Sequence, residues 1–186
     1  LGDEVGEDLD VKLGGGIVVA HDAAQMRLIE EKAKIDAAVG IETHILNRFE
    51  LRRKAPYLSE DALGGGFCEG EGKANPLRVT PAIVRAAGAA GATLYRETPV
   101  FDLSGKAGNF SIETPRGTFR ADKVINTAGA KAADVAAMLG MKIELSGFPL
   151  QVSVTEPIAP LIPHLVYSAA GKLSLKQATN GGCIIG

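Results

Sequence analysis

The pattern with the clearest chemical implication is a pair of β-branched residues followed at once by small ones. Val124 and Ile125 predict a buried strand, and Thr127, Ala128 and Gly129 leave almost no side chain at its carboxyl end. A large ligand can approach such bare backbone closely, and nucleotide cofactors commonly bind at the carboxyl ends of strands. The pattern therefore points to a nucleotide cofactor, although a tight strand-to-helix turn would explain the same residues.

Three clusters of glycine also suggest phosphate contacts, but none stands where a dinucleotide site needs it. The fingerprint G-x-G-x-x-G follows a strand and opens a helix. The glycines at 14–16 precede a predicted strand, those at 64–66 lead into a loop that continues as far as Pro76, and Gly88 and Gly91 end a helix. The P-loop pattern G-x-x-x-x-G-K-[ST] is missing as well. We interpret all of these as turn glycines.

No metal or nucleophile pattern stands out among the reactive side chains. His21, His44 and His164 are scattered, and neither an H-x-x-x-H nor a C-x-x-C spacing occurs. A G-x-S-x-G nucleophile elbow is also missing. Glu69 and Glu71 stand two apart in a glycine-rich loop, where we interpret them as solvated carboxylates and not as an acid–base pair. The sequence therefore predicts no metal site and no serine nucleophile.

Tyr167 is the side chain best placed to face a ligand. It follows a proline-punctuated loop at the start of a predicted strand, so its phenol could line a pocket. A tyrosine packed along the sheet with its hydroxyl at the surface also explains the position. The residues alone leave both interpretations open.

Composition and charge narrow the class of protein. The chain has 186 residues, of which 46% are hydrophobic and 23% charged, as in a soluble globular domain. A net charge of −2 gives no basic field for nucleic acid, and no apolar run approaches the ~20 residues of a membrane span. Cys68 and Cys183 are too few and too distant for a disulfide framework, which predicts free thiols in a reducing compartment. We expect a soluble cytoplasmic protein.

Local signals predict the elements that would position these residues. Three helix starts carry capping signals, namely the capping boxes Asp22/Gln25 and Asn47/Glu50 and the pair Thr80-Pro81. The apolar period then changes to two, which predicts a strand over 93–103 and a hairpin formed by 110–114 and 118–126. Further strands are predicted at 150–155 and after Pro163. This mixture of helices and hairpins predicts an α+β fold on a mixed or antiparallel sheet with flanking helices.

The order of these pieces carries a family resemblance. The chain reads LGGGIVVA at 13–20, PLRVTP at 76–81, TPV at 98–100, VINTAGA at 124–130 and LQVSVTEP at 150–157. This order resembles the D-amino acid oxidase-like FAD-dependent oxidoreductases, the family of glycine oxidase and the sarcosine oxidase beta subunit. The resemblance implies the substrate domain of such a flavoprotein plus a few strands of its FAD domain. Residues 1–92 and 146–186 would belong to the substrate domain, and residues 93–145 to the FAD-domain side.

The resemblance also implies roles for particular residues. The family forms its FAD site from an N-terminal glycine fingerprint, a middle segment and a C-terminal glycine segment. The backbone of Val100 would then meet the adenine side, and Thr127, Ala128 and Gly129 would lie under the ribose and pyrophosphate. Tyr167 matches a segment in which related amine oxidases place an active-site tyrosine, which implies a substrate contact.

The same resemblance implies an internal piece that lacks both ends of the FAD site. The sequence begins without an initiator Met and stops at Gly186, directly after a strand-like segment. We expect the intact protein to bind FAD, and this piece alone to be inactive and free of flavin.

The implied reaction is oxidation of an amine Cα–H or N-methyl C–H bond, with hydride passing to the flavin. The substrate would be a small amine or amino acid such as sarcosine, glycine, proline or a D-amino acid. Some monomeric sarcosine oxidases carry a lysine beside the flavin in a segment like 183–186, where this chain has Cys183, Ile184 and Ile185. This difference favours a dehydrogenase that passes electrons to another acceptor or to a partner subunit.

Two alternatives stay open at this point. The same fold could oxidise a 2-hydroxy acid or glycerol phosphate with FAD. A stand-alone binding module without redox activity would also accommodate the pattern of helices and strands.

Overall fold

The computed structural model describes residues 2–171 and 173–186. It divides the chain into two compact units, one formed by Leu1–Ala87 with Gln151–Gly186 and the other by Gly88–Leu150. We call them the larger and the smaller unit and describe each by itself.

Five α-helices are present in the described residues. They are α1 (Gly2–Val5), α2 (Ala23–Ala37), α3 (Arg48–Lys54), α4 (Pro76–Ala89) and α5 (Ala132–Ala137). Every helix across these residues is too short or too polar to traverse a lipid bilayer.

Ten strands accompany these helices. They are β1 (Gly16–Ala20), β2 (His44–Asn47), β3 (Gly64–Cys68), β4 (Asp102–Lys106), β5 (Asn109–Thr114), β6 (Gly117–Ala121), β7 (Ser153–Pro157), β8 (Leu165–Ser168), β9 (Ser174–Gln177) and β10 (Gly182–Ile185). The strands predicted after Pro163 are thus confirmed, and the one predicted at 150–155 lies slightly later.

The larger unit is built on a seven-stranded sheet with the order β2-β3-β1-β8-β9-β10-β7. Strand β1 lies near the middle, where it pairs antiparallel with β3 and parallel with β8. The remaining neighbours pair antiparallel. The α+β fold on a mixed sheet with flanking helices is therefore confirmed.

Two helices cover the sheet around β3, with α3 on one face and α2 on the other. On one face, Ile17 of β1 and Leu51 of α3 are almost fully buried in the main core, together with Phe67 and Val166. On the other face, Ile29 of α2 packs over β3. Because side chains alternate along a strand, β1 contributes to both layers.

The glycines at 64–66 correct the sequence prediction, because they form β3 and not a loop. A Cβ atom on Gly65 would lie 2.4 Å from the Val18 carbonyl oxygen, and one on Gly66 would lie 2.7 Å from Cγ2 of Ile29. The missing side chains therefore let the neighbouring strand and α2 approach β3 closely. They are packing glycines, which a turn interpretation could not reveal.

Two of the three predicted helix starts are confirmed. At the start of α2, the Asp22 side chain accepts a hydrogen bond from the backbone N–H of Gln25 (2.8 Å). At the start of α3, Asn47 and Glu50 form a complete capping box. The third prediction was wrong, because α4 begins at Pro76 and contains Pro81.

The cap of α4 lies one residue before its first proline. The Asn75 side chain accepts from the Leu77 amide at 3.0 Å, and Pro76 takes the first helical position. Asn-Pro therefore provides the start that we had assigned to Thr80-Pro81.

The smaller unit contains a three-stranded antiparallel sheet, β4-β5-β6. The predicted β5–β6 hairpin is confirmed, with Thr114 opposite Gly117. Residues 93–101 are not a strand, since β4 begins only at Asp102. The buried strand predicted at Val124 and Ile125 is also wrong, because no described strand pairs with this segment and Ile125 is 86% exposed.

Candidate functional site

The residues predicted to bind a nucleotide lie in the smaller unit. Val100 is partly exposed two residues before β4, and Thr127 and Ala128 are exposed beyond β6. Within the ladder β4-β5-β6, the start of β4 and the end of β6 lie at opposite ends of the sheet. The sheet itself therefore does not bring Val100 to the segment 127–129, and their shared role stays a prediction.

The segment after β6 is a turn shaped by one asparagine. The Asn126 amide donates to the Ala132 carbonyl (2.8 Å), and its Oδ1 accepts from the Ala128 N–H (3.2 Å). Gly129 then opens a short 3₁₀ helix, Gly129–Lys131, with φ of 56°. A Cβ atom on Gly129 would meet nothing within 4 Å, so the turn presents uncovered backbone.

The predicted substrate residue Tyr167 lies in the larger unit, in a groove of about 510 Å³ beside helix α2. Tyr167 of β8 stands between Val18 of β1 and Ser174 of β9. We call this recess the α2 groove. Its floor is formed by the sheet and its wall by α2, and the residues that matter below are Gly16, Val18, Leu28, Ile29, Glu71 and Tyr167.

Glu71 lies directly on the floor of the α2 groove. A Cβ atom on Gly16 would fall 1.5 Å from Oε2 of Glu71, so the carboxylate occupies the space that any larger residue at position 16 would fill. The Glu71 carbonyl accepts from the Gly15 N–H at 2.9 Å, which ties the loop to the entry of β1. Our interpretation of Glu71 as a solvated carboxylate was wrong, whereas Glu69 is exposed as expected.

The Tyr167 hydroxyl keeps its proton in this environment. Burial raises the pKa of Tyr167, and the negative charge of Glu71 raises it further. Tyr167 therefore offers the groove a neutral hydroxyl that can both donate and accept a hydrogen bond.

A second recess of about 590 Å³ in the larger unit is lined by three lysines, and we call it the lysine recess. Lys73 is half-buried and donates to the Gln177 carbonyl. Burial lowers the pKa of Lys73, and the charges of Lys12 and Lys176 lower it further, while Asp10 acts in the opposite direction. Asp8 and Asp10 also line the recess, and Arg78 pairs with Asp8, so cationic side chains outnumber carboxylates there. An excess of positive charge favours an anionic ligand.

The described residues that line the two recesses do not form a metal-binding cluster. Among residues 2–171 and 173–186, no three His, Cys, Asp or Glu side chains come together in a way that could hold a metal ion.

The amino-acid sequence identifies the protein family of the chain. The family model described as FAD dependent oxidoreductase matches the chain over residues 1–186. The chain belongs to the FAD dependent oxidoreductase family. This finding confirms the resemblance to the D-amino acid oxidase-like enzymes.

Two members of this family are similar to the chain in sequence. Glycine oxidase of Geobacillus kaustophilus (strain HTA426) is 32% identical over 146 residues, covering 76% of the chain and 38% of that enzyme. Sarcosine oxidase subunit beta of Rhizobium meliloti (strain 1021) is 24% identical over 178 residues, covering 92% of the chain and 43% of that subunit.

A solved structure shows the same fold. The crystal structure of L-proline dehydrogenase from P. horikoshii matches with a TM-score of 0.84 at 24% identity, covering 100% of this chain and 50% of that one. The chain of this FAD dependent oxidoreductase thus spans half or less of the length of these proteins.

The turn at 126–131 fits a large group that approaches backbone, as FAD would. Thr127, Ala128 and Gly129 carry small side chains, and the neighbouring Ile125 is an exposed apolar residue. Exposed apolar side chains beside bare backbone are typical of a surface that a ligand or another element covers. The residues present are therefore compatible with the cofactor of the family.

Sequence reasoning missed the lysine recess of this chain. Lys176 is two residues from Ser174 on β9, so it faces the same side of the sheet as Tyr167. The alternation of side chains along the predicted strand could have indicated that Lys176 lies on this face. Lys12 and Lys73 come together through a backbone bridge between distant loops, and no local pattern signals that contact.

On the opposite face of the sheet, the buried His164 pairs with the half-buried Tyr57. The Tyr57 hydroxyl and Nδ1 of His164 are 2.7 Å apart, and the Phe67 ring meets His164 edge-on. Burial raises the pKa of Tyr57 to about 12. Burial also lowers the pKa of His164, assisted by the charges of Lys54 and Lys73.

This pair predicts a pH-dependent stability. Because the folded-state pKa of His164 is lowered, its contribution is present above the usual histidine pKa near 6.5 and is lost as pH falls through the folded value. Between pH 7.5 and pH 5 we expect the free energy of unfolding to fall more in the parent than in His164→Gln. Urea titrations of both proteins measure this difference.

The exposed His44 provides the matched control for this prediction. His44→Gln should retain the parent pH dependence, since the His44 side chain is 49% exposed. Identical pH profiles for the parent and His164→Gln would contradict the assignment.

Proposed function

We propose that the protein containing this chain oxidises a small amine or amino acid of the sarcosine, glycine, proline or D-amino acid type. The observation that carries this proposal is the match to the FAD dependent oxidoreductase family along the whole chain. The similarity to proteins named glycine oxidase and sarcosine oxidase subunit beta supports the substrate class.

In this proposal the smaller unit contributes backbone to the FAD site. Val100 would hold the adenine side, and Thr127, Ala128 and Gly129 would lie against the ribose and pyrophosphate, because their small side chains allow close approach. The bound FAD supplies the acceptor for a hydride from the substrate C–H bond. The division into residues 1–92 and 146–186 for substrate and 93–145 for the FAD side belongs to the same proposal.

The larger unit would bind and orient the substrate. Tyr167 offers a neutral hydroxyl, and the wall formed by Leu28 and Ile29 displaces water from the groove. Orienting a small substrate in such a recess lowers the entropic part of the barrier. The lysine recess provides positive charge on the same side of the sheet for an anionic group.

We further propose that electrons leave through a separate acceptor or a partner subunit, and that the isolated chain does not retain FAD. The name of the sarcosine oxidase subunit beta relative supports an assembly of several subunits.

A steady-state assay tests this function. Protein expressed from the complete coding sequence is supplied with sarcosine, glycine, proline and D-amino acids, either with an artificial electron-accepting dye or with oxygen alone. We expect at least one amine to be oxidised, and faster with the dye. Turnover of 2-hydroxy acids or glycerol phosphate with none of the amines would instead favour the alternative substrate class, and no redox turnover at all would favour a binding module.

A further inference from the structure

Glu71 carries a negative charge that its surroundings leave uncompensated. The residue is half-buried in the α2 groove, with its carboxylate lying against the Gly16 backbone. Within the described part of the chain, this carboxylate has no ion-pair partner and no hydrogen-bond donor. The Glu71 charge raises the pKa of Tyr167, whose hydroxyl is neutral and therefore provides no counter-charge.

Other charges near the groove are already balanced. Asp36 also lines the groove, but its carboxylate pairs with Lys32 one helical turn earlier. Lys73 is only two residues from Glu71 in sequence, yet Glu71 is not among the charges that shift the pKa of Lys73, which are those of Lys12, Lys176, Asp10 and Cys183. Glu71 is therefore the one charged group of the groove without a counter-charge among the residues described.

The rest of the groove is suited to an organic cation. Val18, Leu28 and Ile29 give it an apolar wall and floor, and the Tyr167 hydroxyl is a neutral hydrogen-bonding group in its lining. A carboxylate beside apolar surface can pair with a substituted ammonium ion while the alkyl groups contact the aliphatic side chains. A metal ion is disfavoured, because the residues described bring no cluster of three ligands together here.

We propose that the α2 groove binds a small substituted ammonium ion, with Glu71 as its counter-charge and the Val18, Leu28 and Ile29 side chains around its alkyl groups. Gly16 is required because any side chain there would displace the carboxylate. The inference deepens the proposed function, on which it rests for the identity of the cation as the amine substrate. Binding itself needs no flavin and can be measured separately.

The experiment titrates the ¹⁵N-labelled chain with dimethylammonium chloride up to about 100 mM, with sodium chloride at equal ionic strength as the reference. We expect saturable shifts of the amide signals of Gly16, Val18 and Tyr167. Glu71→Gln should weaken binding about tenfold or more, because it removes the charge and keeps the shape. Glu69→Gln, which alters an exposed carboxylate two residues away, should bind like the parent.

Three outcomes would overturn the proposal. They are the lack of saturable shifts in the parent chain, shifts that map outside the groove, and equal affinity of Glu71→Gln and the parent. Glu71→Asp, which retains the charge, keeps the test decisive if Glu71→Gln fails to fold. A chain that binds dimethylammonium while the complete enzyme oxidises no amine would retain the site and refute only the proposed function.

Discussion

Replacing Gly65 by alanine is expected to destabilise the larger unit by about 3 kcal/mol or more. The new methyl group would lie 2.4 Å from the Val18 carbonyl oxygen and 3.7 Å from a methyl carbon of Leu51. The first contact is with backbone in the middle of the sheet, so no side-chain rotation can relieve it. Urea denaturation followed by circular dichroism measures the loss in the free energy of unfolding.

Gly70→Ala provides the matched control for this substitution. Gly70 lies two residues beyond β3, and a Cβ atom there would meet nothing within 4 Å. We expect its free energy of unfolding to stay within about 1 kcal/mol of the parent. If Gly65→Ala were as stable as Gly70→Ala, the close packing of β1 against β3 would be refuted.

Replacing Gln177 by alanine is the second change with a large expected effect, again about 3 kcal/mol. The buried Gln177 side chain joins the loop before β8 to the turn before β10. Its amide accepts from the N–H groups of Leu161 (2.7 Å) and Ile162 (3.0 Å) and donates to the carbonyls of Ile158 (3.2 Å), Ala159 (3.0 Å) and Gly181 (3.0 Å). Truncation removes a hydrogen-bond partner from the buried Ile162 N–H and from several half-buried backbone groups of the loop.

Gln177→Glu tests whether the side-chain NH₂ donor of Gln177 is needed, and Gln151→Ala is the control. Gln177→Glu keeps the size but directs a carboxylate at carbonyl oxygens, so we expect a loss similar to that of Gln177→Ala. Gln151→Ala, at an exposed position, should change the free energy of unfolding by less than about 0.5 kcal/mol. A Gln177→Ala protein with parent-like stability would show that the loop does not depend on this side chain.

Local chemistry explains which parts of the fold were predictable. The capping box of Asn47 and Glu50 joins residues that are three apart, so both partners lie in one short stretch of sequence. The hairpin around Gly117 is equally local, since its turn requires the left-handed conformation seen there (φ 103°). Family membership followed from the order of many such short pieces, and the family match confirms it.

Long-range contacts explain what was not predictable. The glycines of β3 are explained by Val18 and Ile29, which are distant in sequence. Val124 and Ile125 have strand-forming side chains, but a strand also needs a neighbour to pair with, and none of the described strands provides one.

The residues of the candidate site also differ in whether the sequence could predict them. Tyr167 was visible from its position after the proline-punctuated loop, and the structure places it in the α2 groove. Glu71 was misjudged because glycine-rich loops are usually solvated, whereas the fold lays this one across Gly16. The cofactor residues Val100, Thr127, Ala128 and Gly129 stay predictions.

The most direct test of the proposed function is the absorbance spectrum of the complete purified enzyme before and after an amine is added without oxygen. We predict oxidised flavin bands that bleach with sarcosine, glycine, proline or a D-amino acid. An enzyme without flavin would contradict it. So would flavin that bleaches with 2-hydroxy acids or glycerol phosphate and with none of these amines.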